Sequence, residues 1–315
     1  MNEGLSSTAL RPLSADVVSV QSQVVYGRVG NNVAAPTLEA LGLSVVAVPT
    51  VVLSNTPHYL TMHGGALPVD WFEGYLHDLS ARGALTALRA VLAGYLGDPA
   101  QAEALARWMR ARRKDRAELR ILIDPVMGDH DCGFYVDARL ADVYRRDLLP
   151  LADGLTPNSF ELAHLTGLPV SNVDSVVTAA RTLLSGCTQW VVVTSAVPST
   201  GMSDEMQVVL VSRTRAEVFT HPRIDVTPKG TGDLFCATLA GLWLNGASLS
   251  QAVGLACGHV LRTVRQTQQA GCAELLLPSA AGSRFPHDMV ARERVRHFTY
   301  RTGLEGPSCK RPLPI

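Results

Sequence analysis

Three stretches, AVLA at 90–93, ILI at 121–123 and WVVVT at 190–194, are apolar over the length of a strand, with helical patterns between them. A strand that alternates apolar and polar residues can leave one face in water. One that is apolar at nearly every position must be covered on both faces. The same reasoning predicts strands over 17–20, 44–48, 90–93, 121–123, 191–194, 208–211 and 217–220. Helical periodicity falls at 33–41, 70–82, 99–111, 140–148, 160–165, 174–184, 234–243 and 249–266. Alternation of this kind predicts an α/β fold with a mostly parallel sheet. Only the last two strands, within 208–220, follow one another closely, and they read as a local antiparallel ribbon. No repeat, low-complexity run or Pro/Gly linker divides the chain. One domain is therefore expected over 16–282, with an N-terminal extension at 1–15. A polar, basic tail follows at 283–315, partly helical around 290–298.

Composition narrows the function. The 315 residues are 47% hydrophobic and 18% charged, with zero formal net charge. Soluble domains typically carry about 25% charged residues, so this chain is core-rich. It has no electrostatic footprint for nucleic acid or an anionic membrane. Its 6 cysteines form no C-x-x-C pair, and Cys236 and Cys257 lie in apolar helical patterns as expected of buried thiols. The start, MNEGLSSTALRPLSAD, lacks the basic-then-apolar order of a signal peptide, and no segment is long and apolar enough to span a bilayer. A cytoplasmic protein is expected.

Open parallel sheets bind ligands beyond the carboxyl ends of their strands. Polar residues gather where the predicted strands end: Gln21 and Ser22, Asn55 to Tyr59, Gly94 and Tyr95, Asp124, and Thr194 with Ser195. The stretch PKGTGDLFCATLAG, from Pro228 to Gly241, places a glycine turn at the start of an apolar helix. It is neither a Walker loop nor a dinucleotide fingerprint. Gly230, Thr231 and Gly232 offer unpaired N–H groups and the positive end of a helix dipole, which attract an anion. Asp233 then has two compatible readings. It caps the helix, or it accepts a proton from an alcohol that attacks the bound phosphate. An ordinary ionised aspartate would serve, because the loose transition state of phosphoryl transfer asks little of the base.

Other candidates carry similar alternatives. Asp124 is a turn-starting Asp-Pro or a metal-side carboxylate. Glu161, three residues after Asn158, fits a helix capping box and also a carboxylate for Mg²⁺, which often binds one or two carboxylates plus phosphates. His58 precedes the glycine-bearing stretch HGGAL at 63–67, read as a loop able to fold over a ligand. Lys229 is either a solvated lysine or a neutraliser of phosphate charge.

Taken together, DVVSVQSQVVYGRVGNN (16–32), LSNTPHY (53–59), GYLG (94–97), DPVMGD (124–129), TPNSFEL (156–162), VVVTSA (191–196) and KGTGDLFCA (229–237) resemble the pyridoxal kinases of the ribokinase-like superfamily. The resemblance is greatest to the bacterial pyridoxine/pyridoxal/pyridoxamine kinase type and runs from about residue 16 to about 278. GTGD alone marks only the superfamily, whereas QSQVVYG and SNTPHY are much more specific to the vitamin B6 branch. The resemblance implies a three-layer α/β/α sandwich with a mostly parallel central sheet, and a homodimer. It implies ATP with Mg²⁺, leaves a need for a monovalent cation such as K⁺ open, and implies phosphorylation of a 5′-hydroxymethyl group.

The resemblance also assigns residues. Asp233 is the base, and Gly230, Thr231 and Gly232 form the anion hole. Ser22, His58 and Tyr95 line the pyridine side. Asp124, Thr156, Glu161, Thr194, Thr227 and Lys229 lie on the nucleotide and metal side, with Glu161 and Asp124 near Mg²⁺. A hydroxymethylpyrimidine kinase, or a kinase with both specificities, is the enzyme alternative. A protein that binds pyridoxal phosphate or nucleotide without turnover is the other, though it would need no carboxylate beside an anion site.

Overall fold

The computed structural model describes residues 11–197, 204–277 and 295–300. The chain begins with β1 (Val17–Tyr26), α1 (Asn31–Ala40), β2 (Val45–Asn55), β3 (Gly64–Ala66) and α2 (Val69–Ala81). It continues through β4 (Ala90–Ala93), α3 (Pro99–Asp115), β5 (Arg120–Ile123), β6 (Gly128–Asp129), β7 (Gly133–Phe134) and α4 (Arg139–Val143), which runs into a π-helical turn at Tyr144–Leu148. Next come β8 (Gly154–Leu155), α5 (Ser159–Thr166), α6 (Val173–Thr182) and β9 (Trp190–Val193). The last elements are β10 (Glu205–Ser212), β11 (Ala216–Pro222), α7 (Thr231–Leu244), α8 (Leu249–Gln269) and β12 (Arg296–Tyr300).

Ten strands join in one sheet, in the order β12-β11-β10-β9-β8-β5-β4-β1-β2-β3. The six from β9 to β2 in that order are parallel, while β10, β11, β12 and β3 run antiparallel to their neighbours. Side chains one residue apart enter different cores. Val18, Val20, Val91, Ala93, Ile121, Ile123, Val191 and Val193 pack with α2, α3, α5 and α6. Val17, Ala90, Leu92, Leu122 and Val192 pack with α1, α7 and α8. Each fully buried Val or Ile contributes roughly 1.5–3 kcal/mol, so neither face can be left bare. The continuous apolar runs thus produce the three layers.

β1 and β2 extend well beyond 17–20 and 44–48, and their polar ends conceal this in the sequence. The two pair along their length, but Gln21 opposes Pro49 while Gln23 opposes Val52. Ser22 therefore lies inside β1, at the irregularity, rather than after the strand. HGGAL is not a free loop: Gly64–Ala66 pairs with 51–53 as β3. The two-residue β8 is too short for a pattern to reveal. The helix expected around 290–298 is corrected where the structure describes it, because Arg296–Tyr300 is a strand on the edge of β11. Its side chains find partners across the ladder, which outweighs weak helical periodicity.

From β1 the chain passes through α1 to β2 on one side, and then crosses to β4 and β5 on the other. The order therefore reverses between β1 and β4. A crevice outside the strand ends is expected at such a switch point.

Candidate active site

Asp233 sits at the third position of α7, behind the N-cap Gly230, whose φ of 95° is left-handed. No side chain caps this helix. Asp233 turns away from it and accepts at Oδ2 from the Gly30 N–H, at 2.8 Å and across 203 residues of sequence. The capping reading of Asp233 is thereby corrected: its oxygen serves a distant loop, and the first-turn amides at Thr231 and Gly232 have no side-chain cap. Burial raises the Asp233 pKa, and the Gly30 hydrogen bond lowers it in part. The expectation of an ordinary carboxylate is corrected too, since desolvation favours its protonated form.

Gly30 also fixes Ser22. A Cβ built on it would lie 2.3 Å from Ser22 Oγ, so the β1 irregularity and the N-terminus of α1 are in direct contact. Ser22 is buried, and Gly30 links this middle stretch of β1 to Asp233. Tyr95 follows β4 on the adjacent strand, partly buried, and burial raises its phenol.

Two more residues follow the next strand ends, and a third lies in the first turn of α5. Asp124 is buried after β5 and accepts at Oδ1 from Thr156 Oγ1, at 3.1 Å. Its Oδ2 would lie 3.8 Å from a Cβ on Gly232, which places it beside the first turn of α7. Thr156 Oγ1 is also 3.3 Å from the buried Cys236 Sγ on α7. Glu161 forms the capping box foreseen from its spacing: its N–H donates to Asn158 Oδ1 at 2.9 Å, and its Oε2 accepts from the Asn158 N–H at 2.8 Å. Its other oxygen accepts from the Met127 N–H, at 2.9 Å.

Electrostatics separates Glu161 from a mere cap. Burial pushes its carboxyl up to about 7 despite those backbone hydrogen bonds. Asp124 is raised well above the usual range by burial, then by the charges of Glu161 and Asp233. Buried carboxylates whose charges repel are relieved by protonation or by a cation beside them. Among the described residues, no set of three or more His, Cys, Asp or Glu side chains is arranged to hold a metal ion. Asp124 and Glu161 offer two carboxylates, a donor set that suits Mg²⁺ when waters and phosphates complete its shell.

The remaining predicted residues stand further out. Thr194 follows β9, and its N–H donates to Pro157 O at 3.0 Å. Lys229 Nζ is 3.8 Å from Asp129 Oδ2. Thr227 is exposed in the segment before α7. His58 is exposed, with Nδ1 3.1 Å from Thr56 Oγ1 and Nε2 3.7 Å from Glu274 Oε1. Tyr59 OH donates to the same Glu274 oxygen. Gly30 and Glu274 escaped the sequence reading. Each acts on a partner more than 200 residues away, and no local spacing reports such a contact.

Comparison with known proteins places the chain among relatives. The phosphomethylpyrimidine kinase family model matches residues 36–276. The pyridoxine/pyridoxal/pyridoxamine kinase of Bordetella bronchiseptica is 56% identical over 269 residues, covering 85% of this chain and 95% of that protein. The pyridoxal kinase of Rubrobacter xylanophilus is 32% identical, covering 88% and 98%. The structure of the Leishmania donovani pyridoxal kinase in complex with ADP and pyridoxamine superposes with a TM-score of 0.79 at 26% identity, covering 90% and 98% of the two chains. The fold shared with it is ribokinase-like. With strand-end carboxylates around an uncapped helix start, and with relatives matched almost end to end, this chain belongs to the pyridoxal kinase family.

Proposed function

We propose that the protein transfers the γ-phosphoryl group of ATP to the 5′-hydroxymethyl group of pyridoxal, pyridoxine or pyridoxamine, with Asp233 as the base. The observation that carries this role is the Gly30 N–H held on Asp233 Oδ2 at 2.8 Å. One oxygen is fixed, and the other is left to take the hydroxyl proton. Burial raises the proton affinity of Asp233 and so strengthens it as a proton acceptor. As the proton passes to Asp233, the substrate oxygen bonds to the γ-phosphorus and its bond to the ADP oxygen breaks. The N–H groups of Gly230, Thr231 and Gly232 face the transferring group as an anion hole.

Ser22, Tyr95 and His58 hold the heterocycle. Thr156, Thr194, Thr227 and Lys229 lie on the nucleotide side, where Lys229 adds positive charge. Asp124 and Glu161 would hold Mg²⁺, which when bound neutralises charge on the phosphates. We assign the partner in solution to a second copy of the chain. Exposed apolar residues at the end of β1 (Val25), between β2 and β3 (Leu60, Met62) and along α2 (Trp71, Tyr75) support this.

Asp233→Asn is expected to keep nucleotide binding and to lower kcat by roughly 10²–10⁴, the usual contribution of a positioned base. Near-normal turnover would remove Asp233 from that role. The match to a phosphomethylpyrimidine kinase model supports a second reading, in which hydroxymethylpyrimidine is also a substrate. ADP release with Mg-ATP against each of the three B6 forms and hydroxymethylpyrimidine ranks the two readings.

A further inference from the structure

Gln101 is fully buried on α3, yet it carries a polar amide that must be satisfied there. Its Nε2 donates to Thr50 O at 2.9 Å and to Leu67 O at 2.8 Å. These carbonyls belong to the two sides of the β2–β3 hairpin at its base, where the Leu67 N–H also donates to Thr50 O, at 2.9 Å. Gln101 Oε1 accepts from the Gly97 N–H, at 3.1 Å, in the turn after β4. The fully buried Thr50 completes the link by donating from Oγ1 to Tyr95 O, at 2.7 Å. Packing reinforces it: a Cβ on Gly97 would stand 2.5 Å from Val51 Cγ1 and 2.9 Å from Ala66 Cβ, one residue from each strand of the hairpin. The turn bearing Tyr95 is thus stitched and pressed against the base of the hairpin whose far end carries His58.

We propose that Thr50 and Gln101 are positioning residues for the heterocycle, setting the placement of Tyr95 relative to the His58 hairpin. This rests on the reading of Tyr95 and His58 as substrate walls. Neither Thr50 nor Gln101 touches the acidic residues of the nucleotide side, so a purely structural role would disturb both substrates alike.

The test compares KM for pyridoxal and for ATP in Thr50→Val, Thr50→Ser, Gln101→Met and Tyr95→Ala, with folding checked by circular dichroism. Thr50→Val keeps the branched shape and leaves the Tyr95 carbonyl without its donor. It should raise the pyridoxal KM about three- to tenfold, the scale of one buried hydrogen bond, and leave the ATP KM within about twofold. Thr50→Ser restores the hydroxyl and should return the pyridoxal KM towards the parent value. Gln101→Met should reproduce the split between the two constants. If Tyr95→Ala raises the pyridoxal KM but Thr50→Val does not, or if Thr50→Val moves both constants together, the positioning role is overturned. An unchanged pyridoxal KM in Tyr95→Ala would instead overturn the reading of Tyr95 as a wall, and this inference with it.

Discussion

Gly30 occupies φ 54° and ψ −129°, a conformation open in practice to glycine alone. A Cβ there would stand 2.2 Å from Ser22 O and 2.3 Å from Ser22 Oγ. Gly30→Ala must therefore rotate the peptide whose N–H holds Asp233, displace Ser22, or both. Strain of this sort costs about 1–3 kcal/mol, and here it falls on the geometry of the base. We expect kcat at saturating ATP and pyridoxal to drop roughly 10- to 100-fold with the circular dichroism spectrum unchanged. Full activity would show that the Gly30 amide does not place the base. At this scale the sequence was legible where function coincides with local spacing. Asn158 and Glu161 stand three apart, and the capping box they imply is present. Asp233 is the opposite case, because its position in α7 suggested a cap while its partner lies in another part of the chain. Burial, which shifts Asp233, Asp124 and Glu161 together, arises only once the strand ends converge.

Among elements, the pairing of α7 with α8 has a polar component that apolar periodicity did not show. His259 on α8 is buried, with Nδ1 2.9 Å from Thr238 Oγ1, and that hydroxyl donates to Leu234 O at 2.7 Å in the first turns of α7. Burial, with a contribution from Arg262, lowers the His259 pKa to about 4. An unfolded histidine titrates near 6.5, so between about 4 and 6.5 the unfolded chain binds more protons. Stability linked to His259 is present above this window and is lost as pH falls through it, by at most about 3 kcal/mol. His259→Gln should thus show a shallower fall in Tm between pH 6.5 and 4 than the parent. Carboxylates common to both proteins cancel in the difference. Parallel Tm profiles would mean that His259 does not set this dependence. The helices themselves were readable because each lays an apolar stripe on the sheet. β3 and β8 were not, since strands this short hold their place through neighbours rather than through pattern.

For the whole molecule, the parallel centre and its two cores follow from strands that are apolar on both faces. The far edge does not follow from any such pattern. There β12 covers β11 with a sequence, RHFTY, that looks like a solvated tail. His297 stacks on Phe219, with ring centroids 4.5 Å apart, and its Nε2 lies 2.6 Å from Glu217 Oε2. Glu217 is buried and also accepts from Ser250 Oγ, at 2.6 Å on α8, while Arg296 pairs with Glu205 on β10. Removing residues from 295 onward would bare the unpaired backbone of β11 and take one partner from a buried carboxylate, a costly loss. In the sheet order four strands separate β12 from β5, after which Asp124 lies, and six separate it from β1, which carries Ser22. The shortened protein should keep kcat and both KM values, lose about 2–6 °C in Tm, and scatter more light on heating as exposed edges pair. His297→Ala in the full chain should reproduce part of the Tm loss through Glu217 and Phe219, with less aggregation because the edge stays covered. A shortened chain as stable as the parent would show that β12 contributes nothing to the sheet, and a loss of kcat at unchanged Tm would tie this edge to the active site instead.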